Sequence, residues 1–366
     1  MSTRFNHLLK QWYPQRDSAA WVLCTVIETQ GSSYRKAGGM SLFNDLGQQF
    51  GVVSGGCIEG DLMRHAHTVL EQDFGKVVTY DMQGEDSLAW QLGIGCGGMI
   101  RILLQAVTAD NDYLGLLQLH QHLEARISCL YTQDIEKACQ ASEGAEEGSW
   151  KVEALTKTTP VGEPVRAIRG HDGCLTTPLH PAPSLWVFGG GADAQPVVNI
   201  AAEMGWHTTL VDSRTAYARE AFFPKAQKII KQDASELIGH DIQQDVDAII
   251  IMTHNLKMDA KALTFAAESS TRYVGLLGPV SRRLRVEAMA NVDAKQFPFY
   301  YAGPAGIPLG GELPESIALS IIAQCQWVLE GSVKRDAPAL FLNQELNQEL
   351  NQELMNQELM SQESRS

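Results

Sequence analysis

The sequence predicts an α/β protein in two parts: an N-terminal α+β domain, then a domain doubly wound around a parallel sheet. Three observations carry this. In the first third, a β-branched run, hairpin chemistry, a helix from about Ile58 to Gln72 and further strands make an α+β unit. At 176 to 183, "TTPLHPAP" puts three prolines in six positions with no apolar period, which marks a linker. Beyond it the order becomes strand, glycine loop, helix, repeated. The expected boundaries are 1–107 for the first domain, 108–183 for a connecting region and linker, 184–331 for the second domain, and 332–366 for a low-complexity tail.

Residues 4 to 13 read as a short helix, and "AAWVLCTVIET" (19 to 29) as a buried strand bounded by polar turns. Asn44-Asp45-Leu46-Gly47 is turn chemistry between strands at Met40–Phe43 and Gln49–Ser54. A helix follows from about Ile58 to Gln72, then a strand at Val77–Met82, then "GIGCGGMIRILLQAV", a glycine loop entering an apolar strand. An amphipathic helix near 112 to 126, a strand "ISCLYT" and an acidic surface loop "ASEGAEEGS" fill the connecting region. The tail repeats Asn-Gln-Glu-Leu four times between Asn343 and Leu359. Leucines four apart drift around a helix by about 40° per repeat and form no lasting seam, so a frayed helix or disordered tail is expected.

Composition narrows the function classes. The formal net charge is −14 and no basic stripe is present, which argues against nucleic acid and anionic membrane as partners. No apolar run approaches the roughly 18 residues of a membrane span, and the N-terminus lacks a signal-type apolar core, so a cytoplasmic location is expected. Seven cysteines are scattered without a C-x-x-C pair, which fits a reducing compartment.

Two glycine-rich stretches carry candidate chemistry. In "SGGCIEGD" (54 to 61), Gly55 and Gly56 precede Cys57 near a helix start, where the backbone dipole and unpaired N–H groups favour a thiolate; Glu59 follows. The alternative is a small apolar residue tucked where a turn meets a helix. Cys96 sits among glycines in the second such loop of this domain.

In "LWVFGGGADAQPVVNIAAEMGWHTTLVDSR" (185 to 214), Gly189, Gly191 and Ala194 fit G-x-G-x-x-A between a strand and a helix, with Asp212 ending the next strand 23 residues after Gly189. This is the phosphate-binding arrangement of a Rossmann-like domain: glycines admit a phosphate, the helix start supplies N–H donors, and the acid accepts from a hydroxyl or ring N–H. Ligands of such sheets lie at the carboxyl ends of the strands, so Thr253, His254 and Gly278 are expected to line the same crevice.

Together these stretches resemble the XdhC/CoxI family of accessory factors for xanthine dehydrogenase and related molybdenum hydroxylases. The resemblance rests on "GSSYRKAGG", "GVVSGGCIEGDL", "GIGCGG", "VFGGGADAQP", "VDSR", "MTHN", "YVGLLG" and "GIPLGGELPESIALSII", in order from residue 31 to 322. It implies a non-catalytic carrier that binds molybdenum cofactor (molybdopterin), holds it while a cysteine desulfurase supplies the sulfido ligand, and inserts it into an apo molybdenum hydroxylase. By motif match Cys57 would be the family's cysteine, contacting molybdenum or a persulfide, and Glu59 its partner acid. Tyr34 stands where the family usually has proline, Asn255 where an acid is common, and Pro279 where serine is common. A homodimer is left open. The rival function is an NAD(P)-dependent oxidoreductase, for which the sequence offers no clear hydride-transfer constellation; a binding module without its ligand is a third reading.

Overall fold

The structure is a computed structural model that describes residues 4–72, 74–81, 98–140, 149–155, 167–170, 172–240 and 245–330. Among these, residues up to Ala182 form one compact unit and residues from Pro183 onward a second. Cys96, most of the acidic loop and the repeats of the tail lie outside the described residues.

The first unit contains two antiparallel sheets. The larger runs β3-β2-β1-β5-β4 through Trp21–Gln30 (β1), Met40–Asn44 (β2), Gln49–Phe50 (β3), Lys76–Asp81 (β4) and Met99–Val107 (β5). β1 is buried on both faces, and its alternation says why. Val22, Cys24 and Val26 pack with Leu62, Ala66 and Val69 of helix α2 (Glu59–Gln72). Trp21 and Leu23 pack on the opposite side with Leu9 and Trp12 of α1 (Phe5–Trp12) and with Leu116, Leu119 and Leu123 of α3 (Leu116–Glu124). Each fully buried leucine of this kind contributes about 1.5–3 kcal/mol.

The smaller sheet runs β7-β6-β9-β8 through Cys129–Asp134 (β6), Trp150–Ala154 (β7), Ile168–Arg169 (β8) and Cys174–Leu179 (β9). It corrects two expectations. The described residues between 108 and 182 belong to the first unit rather than to a connection between two domains. The stretch expected to be a linker begins inside a strand, because Thr176, Thr177 and Pro178 pair with Thr132, Tyr131 and Leu130. Polar contacts join this sheet to the larger one: the buried amide of Gln133 donates to Thr25 Oγ1 at 3.2 Å and to Gln105 Oε1 at 2.7 Å.

The second unit is a six-stranded parallel sheet, β12-β11-β10-β13-β14-β15, formed by Ser184–Phe188 (β10), His207–Val211 (β11), Lys228–Ile230 (β12), Ala248–Ile251 (β13), Tyr273–Leu276 (β14) and Tyr300–Ala302 (β15). The order reverses between β10 and β13, so the carboxyl ends of these two strands flank the crevice of a doubly wound sheet. Helices α4 (Ala194–Glu203) and α7 (Pro314–Glu330) cover one face around Trp206, Leu210 and Ile250. Helices α5 (Leu256–Ala267) and α6 (Val280–Ala290) cover the other around Trp186, Phe188 and Ile251. Among the described residues, no helix is long and apolar enough to cross a membrane.

Candidate functional site

In the first unit, the chain leaves β3, makes a loop and enters α2. Gly55 and Gly56 have φ of +79° and +110°, a region that side chains with a Cβ rarely occupy, which explains both glycines. The loop is closed by Glu59. Its Oε1 accepts from Val53 N at 3.2 Å and Ser54 N at 2.9 Å, and its Oε2 accepts from Gly56 N at 3.0 Å and from the Ser54 hydroxyl. Ser54 Oγ in turn accepts from Ile58 N at 3.1 Å. Burial pushes the Glu59 carboxyl up, but the hydrogen bonds from Ser54 and the loop backbone outweigh it and hold the group below the usual carboxylate range.

This places Glu59 differently from the expectation that it faces a ligand. It is 7% exposed and its oxygens serve the loop. Cys57, by contrast, is exposed, two residues before the first helical residue. Among the described cysteines it is the one with an exposed side chain; Cys24, Cys129 and Cys325 are buried. The ring of Tyr34, itself 67% exposed, lies against Gly55, where a Cβ would come within 3.1 Å of it.

In the second unit, Gly189 has a φ of +119°, and a Cβ there would lie 2.4 Å from Met252 O. The glycine is what lets β10 and β13 come this close where they end. Gly191 is more open: an added Cβ would meet only the Asp193 side chain among its near neighbours. Ala194 corrects an expectation. It is the first residue of α4 and is fully buried in the core, and its N–H closes a turn onto Gly191 O at 3.1 Å, so its side chain serves packing.

Asp212 departs most from the expected role. Its Oδ1 accepts from Arg214 N and Nε, both at 2.9 Å, and its Oδ2 accepts from Gly190 N at 2.8 Å and Arg214 Nη2 at 2.6 Å. Two donors on each oxygen use the acceptor capacity of a carboxylate. The side chain is fully buried. Desolvation would raise its pKa, yet the Arg214 and Gly190 hydrogen bonds depress it below the ordinary aspartate value.

Thr253 and Gly278 belong to a neighbouring cluster. The Thr253 hydroxyl donates to Asp259 Oδ1 at 2.5 Å, and Asp259 Oδ2 accepts from Arg282 Nε at 3.1 Å and Nη2 at 2.5 Å. A Cβ on Gly278 would sit 2.5 Å from Arg282 Cδ, so the glycine clears the path of this arginine. Thr253 is therefore a buried strut, although it lines a small hollow together with Asp212, Ser213, Asp233 and Met258. His254 is the exposed member. It has a φ of +58°, and its Nε2 lies 2.7 Å from Asp193 Oδ2 beside the start of α4. A left-handed backbone at a non-glycine residue at the end of a central strand is local strain of the kind found at binding sites. Asn255 caps α5, accepting from Lys257 N at 3.0 Å and Met258 N at 3.2 Å, a role an aspartate would fill equally well.

The fold thus brings Gly189, Gly191, Thr253, His254 and Gly278 to one end of the parallel sheet, with Asp212 beneath the glycine loop. Asp193, Arg214 and Asp259 were missed by sequence reasoning, whereas Arg282 stands in the cluster of Arg282, Arg283 and Arg285 that the sequence offers as a holder of anionic groups and is instead committed to Asp259. Arg214 lies within the "VDSR" stretch already singled out, two residues from Asp212.

Comparison with known proteins gives this geometry its family. Residues 15–81 match the XdhC and CoxI family model, and residues 185–325 match the XdhC Rossmann domain. The two matches together take up more than half of the chain. The chain belongs to the XdhC and CoxI family. It is 29% identical over 324 residues to a Bacillus subtilis (strain 168) protein named as a probable subunit of xanthine dehydrogenase, covering 84% of this chain and 93% of that one. It is 23% identical over 307 residues to the molybdenum cofactor insertion chaperone PaoD of Escherichia coli (strain K12), covering 83% of this chain and 81% of PaoD. A crystal structure from Bacillus halodurans, described as a xanthine dehydrogenase, superposes with a TM-score of 0.75 at 29% identity, covering 93% of this chain and all of that one. The XdhC Rossmann match agrees with the strand order of the second unit, and the XdhC and CoxI match contains the loop that presents Cys57.

Proposed function

We propose that this XdhC/CoxI protein is a maturation factor that binds molybdenum cofactor as cargo. It holds the cofactor while a cysteine desulfurase provides the terminal sulfur, and it delivers the cofactor to an apo molybdenum hydroxylase of the xanthine dehydrogenase type in the cytoplasm. The relative named as a molybdenum cofactor insertion chaperone supports the maturation role.

The observation that carries the reading is Cys57, an exposed thiol on a loop whose shape a buried carboxylate fixes. A soft sulfur donor suits a molybdenum centre or a transferred sulfur, and a loop fixed beforehand loses little freedom when it binds. Taken by itself, the second unit has at Gly191 and the start of α4 an arrangement suited to a phosphate. The NAD(P) reading is weakened by Asp212, whose oxygens are committed to Arg214 and Gly190 and leave no acceptor for a ribose diol.

The test is protein purified without oxygen from a molybdenum-replete host. Molybdenum and a fluorescent oxidised pterin are expected in comparable molar amounts. Absence of both, together with a rise in melting temperature on adding NAD, would overturn the proposal. Cys57→Ser should keep the fold and lose most activation of an apo-hydroxylase per folded molecule; normal activation by this variant would leave Cys57 without the proposed role.

A further inference from the structure

The exposed consequence of the Asp212 arrangement is Arg214. Its Nε and Nη2 form a fork on Asp212, and its guanidinium carbon lies 4.0 Å from the centre of the Tyr217 ring. Held at one edge by a buried carboxylate and on one face by an aromatic ring, the planar cation has little freedom left. Its side chain is 31% exposed, and among the described residues no hydrogen bond engages Nη1. The turn that carries it folds over the glycine loop: Tyr217 N donates to Arg214 O at 2.9 Å, and a Cβ on Gly190 would lie 2.9 Å from Tyr217 O. The remaining carboxylates near this end of the sheet each have a partner of their own, Asp193 with His254, Asp233 with Lys261 and Asp259 with Arg282. The accessible group at the end of β11 is therefore a donor with positive charge, where a fold of this type that binds a dinucleotide through its ribose hydroxyls presents an acceptor.

We propose that Arg214 is a phosphate-recognition residue, and that the second unit selects ligands bearing a phosphate monoester near the end of β11. The proposal rests on the carrier reading only for the source of that phosphate, the pterin side chain of the cofactor rather than the 2′-position of a nucleotide. Asp212 and Tyr217 act as positioning residues: they hold the guanidinium and do not touch the ligand.

Two pairs of probes on the full chain separate these sources. The first pair is the oxidised pterin derived from molybdopterin, with and without its phosphate, followed by fluorescence. The second is 2′,5′-ADP against 5′-AMP, followed by calorimetry. At least a tenfold preference for the phosphorylated member is expected in the pterin pair. Arg214→Gln should remove that preference while leaving the affinity for the dephosphorylated pterin within twofold. Because Arg214→Gln strands a buried carboxylate, the double variant Asp212→Asn/Arg214→Gln supplies a neutral pair of similar shape, and it should show the same loss. Arg214→Lys, which keeps the charge but not the fork, should recover only part of it. A tenfold preference in the nucleotide pair alone, abolished by the same variants, would keep Arg214 as the phosphate reader and overturn the carrier reading. No preference in either pair, or a preference that survives in the double variant, overturns the proposal.

Discussion

The two glycine-rich loops solve the same local problem with one device and reach opposite chemistries. In each, a buried carboxylate gathers backbone N–H groups of a loop: Glu59 takes those of Val53, Ser54 and Gly56, and Asp212 takes those of Gly190 and Arg214. Glu59 finds its remaining donor in the Ser54 hydroxyl, a neutral group inside the loop, so the residue left outside is the thiol of Cys57. Asp212 finds its remaining donors in a guanidinium, so the residue left outside is a cation. The difference teaches that an acid in a glycine loop does not by itself mark a ligand contact. Its partner decides what the loop displays.

The comparison can be broken from either side. The largest effect is expected from Glu59→Ala, which leaves three backbone N–H groups and the Ser54 hydroxyl without their acceptor and should destabilise the first unit by about 3 kcal/mol in urea unfolding. Loss of less than about 1 kcal/mol would show that water replaces the carboxylate and that the loop is not held as described. Asp212→Asn should cost about 2 kcal/mol, because the amide keeps the shape but one edge now presents N–H groups to Arg214. Its unfolding should register in the second unit, by hydrogen exchange at the N–H of Gly190, with protection at Gly56 unchanged.

Acid should sharpen the comparison by acting on both loops together. Both carboxyls titrate below their ordinary values in the folded protein, so the unfolded chain takes up protons first as the pH falls. The stability they contribute is complete above about pH 5, declines through the ordinary carboxylate range near 3.9 to 4.3, and is gone below the depressed folded values. Melting temperature measured from pH 6 to pH 3 should fall over that window, and Glu59→Gln should flatten the part due to the first unit. An unchanged slope in this variant would contradict the assignment.

The smallest stability effect is expected at Cys57. Cys57→Ser should shift stability by no more than about 0.5 kcal/mol, as for an exposed surface position. The native protein should nevertheless lose the fastest alkylating thiol among the described cysteines. Burial, reinforced by the nearby Glu59 charge, raises the Cys24 thiol, and burial does the same at Cys129 and Cys325, so these should react only on unfolding. Alkylation of Cys24 at the rate of Cys57 in the folded protein would remove the distinction between the two.

Much of the second unit was legible because its signals are local. Gly189 is required by close approach to Met252, and the strand, loop, helix and strand around it run in sequence order. The smaller sheet of the first unit was not legible. Its central pair joins Cys129–Asp134 to Cys174–Leu179, and nothing in the proline-rich stretch announces that Thr176 and Thr177 pair with residues more than forty positions earlier. Proline at 178 reads as a breaker when its neighbours are unknown. In the folded sheet its position opposite Leu130 is compatible with a ladder.

At the site, the sequence by itself determined which residues stand where the backbone must turn: Gly55, Gly56 and Gly189 take conformations or contacts that other residues resist, and "GGC-E" and G-x-G-x-x-A record that requirement as spacing. It determined the family and the end of the parallel sheet at which Gly189, Gly191, Thr253, His254 and Gly278 lie. Only the tertiary structure decided which side chains face outward. Whether Asp212 meets a ligand or Arg214, and whether Glu59 serves a cofactor or its own loop, depends on which donors lie within about 3 Å once the chain has closed on itself, and hydrogen-bond partnership is a property of distance and direction that residue order does not carry.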